Sequence, residues 1–179
     1  MHTFRRKGYR GASVRDLEDA TGLKMGSIYN SFGDKAGLFD AAFAHYNRSV
    51  LQRRLEEHAP PSAGLSGLRE LFLTLLTEPD GGSHGCLITT AAIELGGDGD
   101  GHPCIEHAFS TLTTTFLERL TVAGAQGGLR DDIDPHVASA KLLALYQGVL
   151  VLVRAGHPPA AVEAAIHSEF DGLEVGGGD

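Results

Sequence analysis

The chain is expected to be all-α, with a small N-terminal helical domain ahead of a larger helical body. Three observations predict this. Apolar residues recur at intervals of three and four along nearly every segment, and proline and glycine stand where those segments begin and end. No stretch alternates apolar and polar residues at the period of two that a half-buried strand requires. With 179 residues and 42% apolar side chains there is material for a core. The division is placed between 1–45 and 46–179.

The stretch from Gly11 to Phe39 reads GASVRDLEDATGLKMGSIYNSFGDKAGLF. Ser13 caps a first helix and Asp16, three residues on, completes the Ser-x-x-Asp form of a capping box. Val14, Leu17 and Ala20 follow at helical spacing, and Gly22 ends the helix. Leu23, Ile28 and Phe32 then supply the buried side of a second helix, leaving Lys24, Met25, Ser27, Tyr29 and Asn30 to point outward. Two short helices around a glycine turn form a helix-turn-helix, whose second helix presents its outward face to the DNA major groove.

Charge supports this reading. From Met1 to Arg54 there are ten Lys or Arg against five Asp or Glu; the whole chain has 15 and 23, which leaves five basic and eighteen acidic residues for the rest. The net charge of −8 therefore hides a basic front lobe, the footprint that phosphate contacts require.

The block RRKGYRGASVRDLEDATGLKMGSIYNSFGDKAGLF resembles the DNA-binding domain of the tetracycline-repressor (TetR) family of bacterial transcription regulators. The matching positions are Phe4, Gly8, Tyr9, Ser13, Gly26, Ser27, Ile28, Tyr29, Phe32 and Lys35. The resemblance implies that Ser27, Tyr29 and Asn30 lie at bases or adjacent phosphates, and that Gly26 lets the helix approach closely. It also implies that Ser13 and Lys35 hold phosphates from helix N-termini. Lys24 and Met25 complete the candidate DNA-binding set. Two features depart from the family pattern. The helix containing Phe4 is about two turns short, which weakens the packing expected beneath the motif, and Lys24-Met25 stands where a small capping residue is usual.

A connecting helix is expected from Asp34 to His58, stopped by Pro60-Pro61. The next, around Leu65 to Thr77, carries Leu68, Leu71, Phe72, Leu75 and Leu76, and another, Gly85 to Leu95, is uncharged except for Glu94. From about Pro103 to Ala125, a further helix puts Ile105, Phe109, Leu112, Phe116 and Leu120 on one face until Gly127-Gly128 ends it. Asp134-Pro135, an N-cap with proline at the first helical position, opens a helix that is apolar around most of its circumference. Such a helix is expected to be buried on two sides, one in the domain core and the other against a second copy; the alternative is the buried core helix of a monomer. It also resembles the family's penultimate helix through Gln147, Gly148, Arg154 and Gly156, and Pro158-Pro159 starts the last one. A homodimer interface is expected at Leu142, Leu145, Val149, Leu152, Val162 and Ile166.

The C-terminal domain is accordingly read as a ligand-binding and dimerisation domain for an unidentified small-molecule effector. Its candidate wall is Phe72, Leu75, Leu76, Ile93, Phe109, Leu112, Phe116 and Tyr146, with Thr89 and Thr90 as polar contacts. GCLITTAAIEL resembles a branch of the family in which Gly-Cys-Leu opens the pocket helix, and in some members this cysteine senses oxidants or electrophiles. Cys86 stands beside His84 at a helix start, where the helix dipole favours thiolate; the competing reading is a small buried core residue. His84, Cys86, His102, Cys104, Glu106 and His107 make only a weak metal set, because His-x-Cys twice around a glycine-rich loop lacks paired Cys-x-x-Cys spacing. No metal or cofactor is assigned, and no nucleophile elbow, phosphate loop or paired carboxylates point to an enzyme.

No apolar run is read as long enough to span a bilayer, nothing at the start resembles a secretory signal, and two cysteines suit a reducing compartment. A cytoplasmic repressor that binds double-stranded operator DNA as a homodimer, without a membrane, is expected. The alternatives are a helical ligand-binding protein whose short first helix impairs DNA binding, and a thiol sensor acting through Cys86.

Overall fold

The structure is a computed structural model that describes residues 1–77, 86–96 and 102–176. Among these the elements are helical, apart from one isolated antiparallel bridge between Leu129 and Glu174. They fall into two compact units: residues 1–51 with the described part of 84–108, and the described part of 52–83 with 109–176. His84, and the glycine-rich approaches to Cys86 and His102, lie outside the described residues.

The first unit begins with α1 (His2–Gly11), α2 (Val14–Thr21), α3 (Met25–Phe32) and α4 (Lys35–Tyr46). α1 is seated by Phe4, buried edge-on to Phe39 at 5.1 Å between ring centroids. Phe39 also meets Tyr9, Phe43 and the His102 ring, so one aromatic side chain gathers three segments. The capping box forms as expected on α2, and Gly22 closes that helix in the left-handed conformation. Asp34 caps α4 by accepting from the Gly37 N–H at 2.9 Å. A side chain at Gly37 would collide with the Phe32 carbonyl, which fixes glycine in this tight link between α3 and α4.

The chain stays helical from α4 to His58, but through a π-helical turn at Asn47–Gln52 before α5 (Arg53–His58). The spacing explains it: Tyr46 and Leu51 are both buried and five residues apart, which only a widened turn keeps on one side.

The expected boundary at residue 45 does not coincide with the observed unit, which continues to Leu51 and takes in α7 (Leu87–Leu95) and the first turns of α8 (Pro103–Ala125). The ties are polar. α1 is kinked at Gly8 (φ 74°), which turns the N–H groups of Tyr9 and Arg10 outward to the Glu94 carboxylate on α7, at 2.5 and 3.2 Å. Any side chain at Gly8 would occupy the position of that carboxylate. Tyr46 donates its hydroxyl to the Cys86 sulfur at 3.4 Å.

The second unit holds α5, α6 (Gly64–Leu73) with a 3₁₀ turn at Thr74–Leu76, the rest of α8, α9 (Pro135–Arg154) and α10 (Pro159–Leu173). Phe72 is its centre, with Phe116, Tyr146 and Phe170 at 5.6, 5.4 and 5.3 Å. Buried Arg119 is satisfied by the Ala59 carbonyl at 2.8 Å, and Arg69 bridges Asp171 and Glu174 at 2.8 and 3.0 Å.

Two expectations about α9 are corrected. This helix is long and apolar enough to cross a membrane by length and composition, with a mean hydropathy of 1.6 over 18 residues. That apolarity has a local use, since Ala138, Leu142, Tyr146, Val149 and Leu150 are buried in the unit. The expected interface is therefore largely internal: Leu142, Val149, Val162 and Ile166 are core residues and Leu145 is half-buried, leaving only Leu152 exposed. A helix apolar all round does not reveal from sequence which side faces its own core. The exposed stripe of α9 is Val137, Ala140, Lys141, Ala144, Gly148, Val151, Leu152 and Ala155, at helical spacing. On α10, Ala161, Ala164, Ala165, Ser168 and Gly172 form a second stripe of small exposed residues.

Candidate nucleic-acid interface

α3 rests on Met25 and Ile28, one turn apart, and exposes Gly26, Ser27, Asn30 and Ser31, with Tyr29 half-buried beside them. Among the described residues nothing stands where a side chain at Gly26 would be, so this face is open at its first turn. Met25 is the exception among the outward candidates, being only 8% exposed. Leu23 and Phe32, expected to be buried, are instead 54% and 43% exposed. With only two turns, α3 can bury one i, i+3 pair, and both of these residues lie at its ends beside turns.

The N-terminus of α3 is capped from outside. Lys24 at the N-cap makes no side-chain capping bond, and Glu18 of α2 accepts from the Met25 N–H at 2.8 Å. One carboxylate thus replaces the missing small cap and fixes α3 against α2. Lys24 extends into solvent, 3.9 Å from the other oxygen of Glu18.

Ser13 is exposed, but its polar groups are engaged. Its N–H and hydroxyl donate to Asp16 Oδ2 at 2.9 and 2.7 Å, while Oγ accepts from the Asp16 N–H at 3.2 Å. The Lys7 ammonium reaches the same carboxylate, and these hydrogen bonds, that of Lys7 first and those of Ser13 next, hold Asp16 below the usual carboxylate range. A depressed carboxylate stabilises the fold above its unfolded pKa of about 3.9, and that contribution is lost as the pH falls below it. Ser13→Ala should therefore lower stability at neutral pH, with the difference from wild type shrinking as the pH falls below about 4, as read from paired urea titrations. A difference independent of pH would show that Ser13 and Asp16 do not act together.

Lys35 opens α4, its ammonium 4.9 Å from the centre of the Tyr9 ring. Exposed Arg6, Arg10, Arg15 and Arg48 belong to the same unit, in keeping with the basic N-terminal sequence.

The remaining candidate residues divide between the units. Cys86, Thr89, Thr90 and Ile93 are on or beside α7 in the first; Phe72, Leu75, Leu76, Phe109, Leu112, Phe116 and Tyr146 are in the second. Ile93 is 75% exposed, because α7 buries Leu87, Ile88 and Ala91 on its other side. Leu76, Phe109, Thr89 and Thr90 are half-buried, and the others of the set are core. Cys86 is the N-cap of α7 and only 5% exposed, the environment of a packing residue rather than an accessible thiol. Cys104 is half-exposed, its thiol pushed up by burial and next by the Asp40 carboxylate.

Glu18, Asp40 and Glu94 were not singled out from sequence. Glu94 did leave a signal, as the one charged residue in an otherwise uncharged helix.

A family model described as "Bacterial regulatory proteins, tetR family" matches residues 1–42, and one described as "Tetracyclin repressor-like, C-terminal domain" matches residues 64–168. The HTH-type transcriptional repressor AcnR of Corynebacterium diphtheriae is 30% identical over 86% of this chain and 76% of its own. The crystal structure of a TetR-family transcriptional regulator from Cytophaga hutchinsonii superposes with a TM-score of 0.80 at 24% identity, covering 98% of this chain and 91% of that one. A cysteine mutant of the TetR-family regulator CifR, complexed with 26 bp double-strand operator DNA, gives 0.76 at 25% identity, covering 94% and 91%. With both halves of the chain matched in order and a helix-turn-helix seated in the first, the chain belongs to the tetR family of bacterial regulatory proteins.

Proposed function

We propose that the chain is a transcriptional repressor that binds operator DNA as a homodimer and leaves it when a small effector occupies the helical body. The observation that carries the first part is the solvent face of α3, Gly26, Ser27 and Asn30, on a capped two-turn helix within the basic N-terminal segment. The names of AcnR as a repressor and of CifR as operator-bound support the same reading. Tyr29, Lys24 and Lys35 are the further DNA contacts we infer, Lys35 through a phosphate at the start of α4.

Dimerisation is supported by the exposed stripes of α9 and α10, where Ala140, Ala144 and Gly148 on one and Ala161, Ala164 and Ala165 on the other allow two helix pairs to approach closely. For the effector, the half-buried and core residues around Phe72 remain the candidate wall. Their rings are in contact, so uptake must displace packed side chains, and the effector shifts the equilibrium only by its preference for the opened state.

A comparison of two substitutions tests the DNA face. Lys35→Ala should weaken binding to all duplexes alike and reduce the slope of log K against log salt by about one. Asn30→Ala should instead relax preference at one operator position, at roughly 1–3 kcal/mol, as measured by competition gel shifts with the DNA flanking the gene. Equal losses on operator and random DNA would remove Asn30 from the residues that read bases.

A further inference from the structure

In the first unit, α4 brings the Asp40 carboxylate to the His102-x-Cys104 pair at the start of α8, a partner that sequence spacing does not connect to it. Asp40, His102 and Cys104 each place a ligand atom within 4.8 Å of the other two. His102 Nε2 stands 3.3 Å from Asp40 Oδ1. Two ligands on one tetrahedral zinc ion, with bonds of about 2.0–2.1 Å, are about 3.3 Å apart, so this pair already has the separation of neighbouring ligands. The His102 ring is held edge-on to Phe39 at 5.9 Å, and its Nδ1 is buried without a hydrogen-bond partner among the described residues. Cys104 also opens onto a pocket of about 250 Å³ lined by Ala44, Asn47, Arg48, Pro103 and His107, which gives solvent and ions a route to the sulfur.

We propose that Asp40, His102 and Cys104 form a zinc site with three protein ligands and a fourth position open to solvent. The donor set is a carboxylate oxygen, an imidazole nitrogen and a thiolate sulfur, a borderline-soft combination suited to Zn(II) and unsuited to Mg(II) or Ca(II). Charge balances: carboxylate and thiolate together neutralise the dication, and the imidazole binds uncharged. Binding breaks the Cys104 S–H bond, forms an S–Zn bond and releases one proton to the buffer. Sequence spacing offers only the weak set around the two His-x-Cys pairs, for which no metal is assigned. Cys86 does not belong to this cluster, and the carboxylate comes from α4, more than sixty residues before Cys104.

The test is a titration of the full-length, tag-free chain with Co(II), followed by displacement with Zn(II), reading the sulfur-to-cobalt charge-transfer band and the visible bands of tetrahedral cobalt. One Co(II) per chain is expected, displaced stoichiometrically by Zn(II). Cys104→Ser should abolish the charge-transfer band, and Asp40→Asn and His102→Ala should each weaken binding by roughly tenfold or more. All three positions are at least partly exposed, so helical circular dichroism should be retained. The proposal is overturned if the wild-type chain shows no thiolate band. It is equally overturned if Cys104→Ser keeps the band and the affinity, or if Cys86→Ser alone removes them.

Discussion

Gly148→Arg is expected to sediment as a monomer and to lose operator binding while keeping its helical signal. Gly148 lies mid-stripe on α9 beside Ala144, Val151 and Leu152, and nothing among the described residues lies within 4 Å of the space a side chain would enter. An arginine there leaves the core intact and places bulk and charge where a second copy would pack. Operator binding should fall with dimerisation, because two recognition helices reach half-sites about 34–36 Å apart only when joined. Losing the second head costs the gain from linkage, on the order of 10²–10⁴ in apparent affinity. Sedimentation and gel shift on one preparation check both effects, and a Gly148→Arg chain that remains a dimer would place the interface elsewhere. Val149, one residue on, makes a poor probe because it is buried in its own unit.

Phe72→Ala should be the most destabilising single truncation in the helical body, by about 3–5 kcal/mol. Phe72 is fully buried, and its ring meets those of Phe116, Tyr146 and Phe170. Little in so tight a cluster can relax into the space left behind. Urea unfolding at constant m-value checks the loss, and a cost below about 1 kcal/mol would mean that the cluster is loose and readily opened.

The residues that reveal the fold act locally. The Ser13 capping box, the Gly22 stop, Asp34 before α4 and Asp134-Pro135 before α9 satisfy backbone groups within a few residues of themselves, and each helix starts or stops where its signal stands. What sequence did not reveal depends on which face meets which neighbour. Glu18 capping α3, Glu94 seated on the kink at Gly8, and Asp40 beside His102 are carboxylates whose partners lie elsewhere in the chain. The sides of α9 were confused for a related reason, since apolar periodicity cannot separate a face buried in its own unit from one left for a second copy. Met25 shows the same limit at small scale: in a two-turn helix a single residue decides which pair is buried.

Reading of a specific duplex by α3 from within a dimer fixes both the sequence preference and the stoichiometry of binding. It is tested most directly by fluorescence-anisotropy titration of the DNA flanking the gene against an unrelated duplex of equal length at physiological salt, with stoichiometry read at saturation. Two or a multiple of two chains per operator are expected, with a preference for the flanking DNA of at least about 10³. Equal affinity for the two duplexes, or saturation at one chain per site, would contradict it.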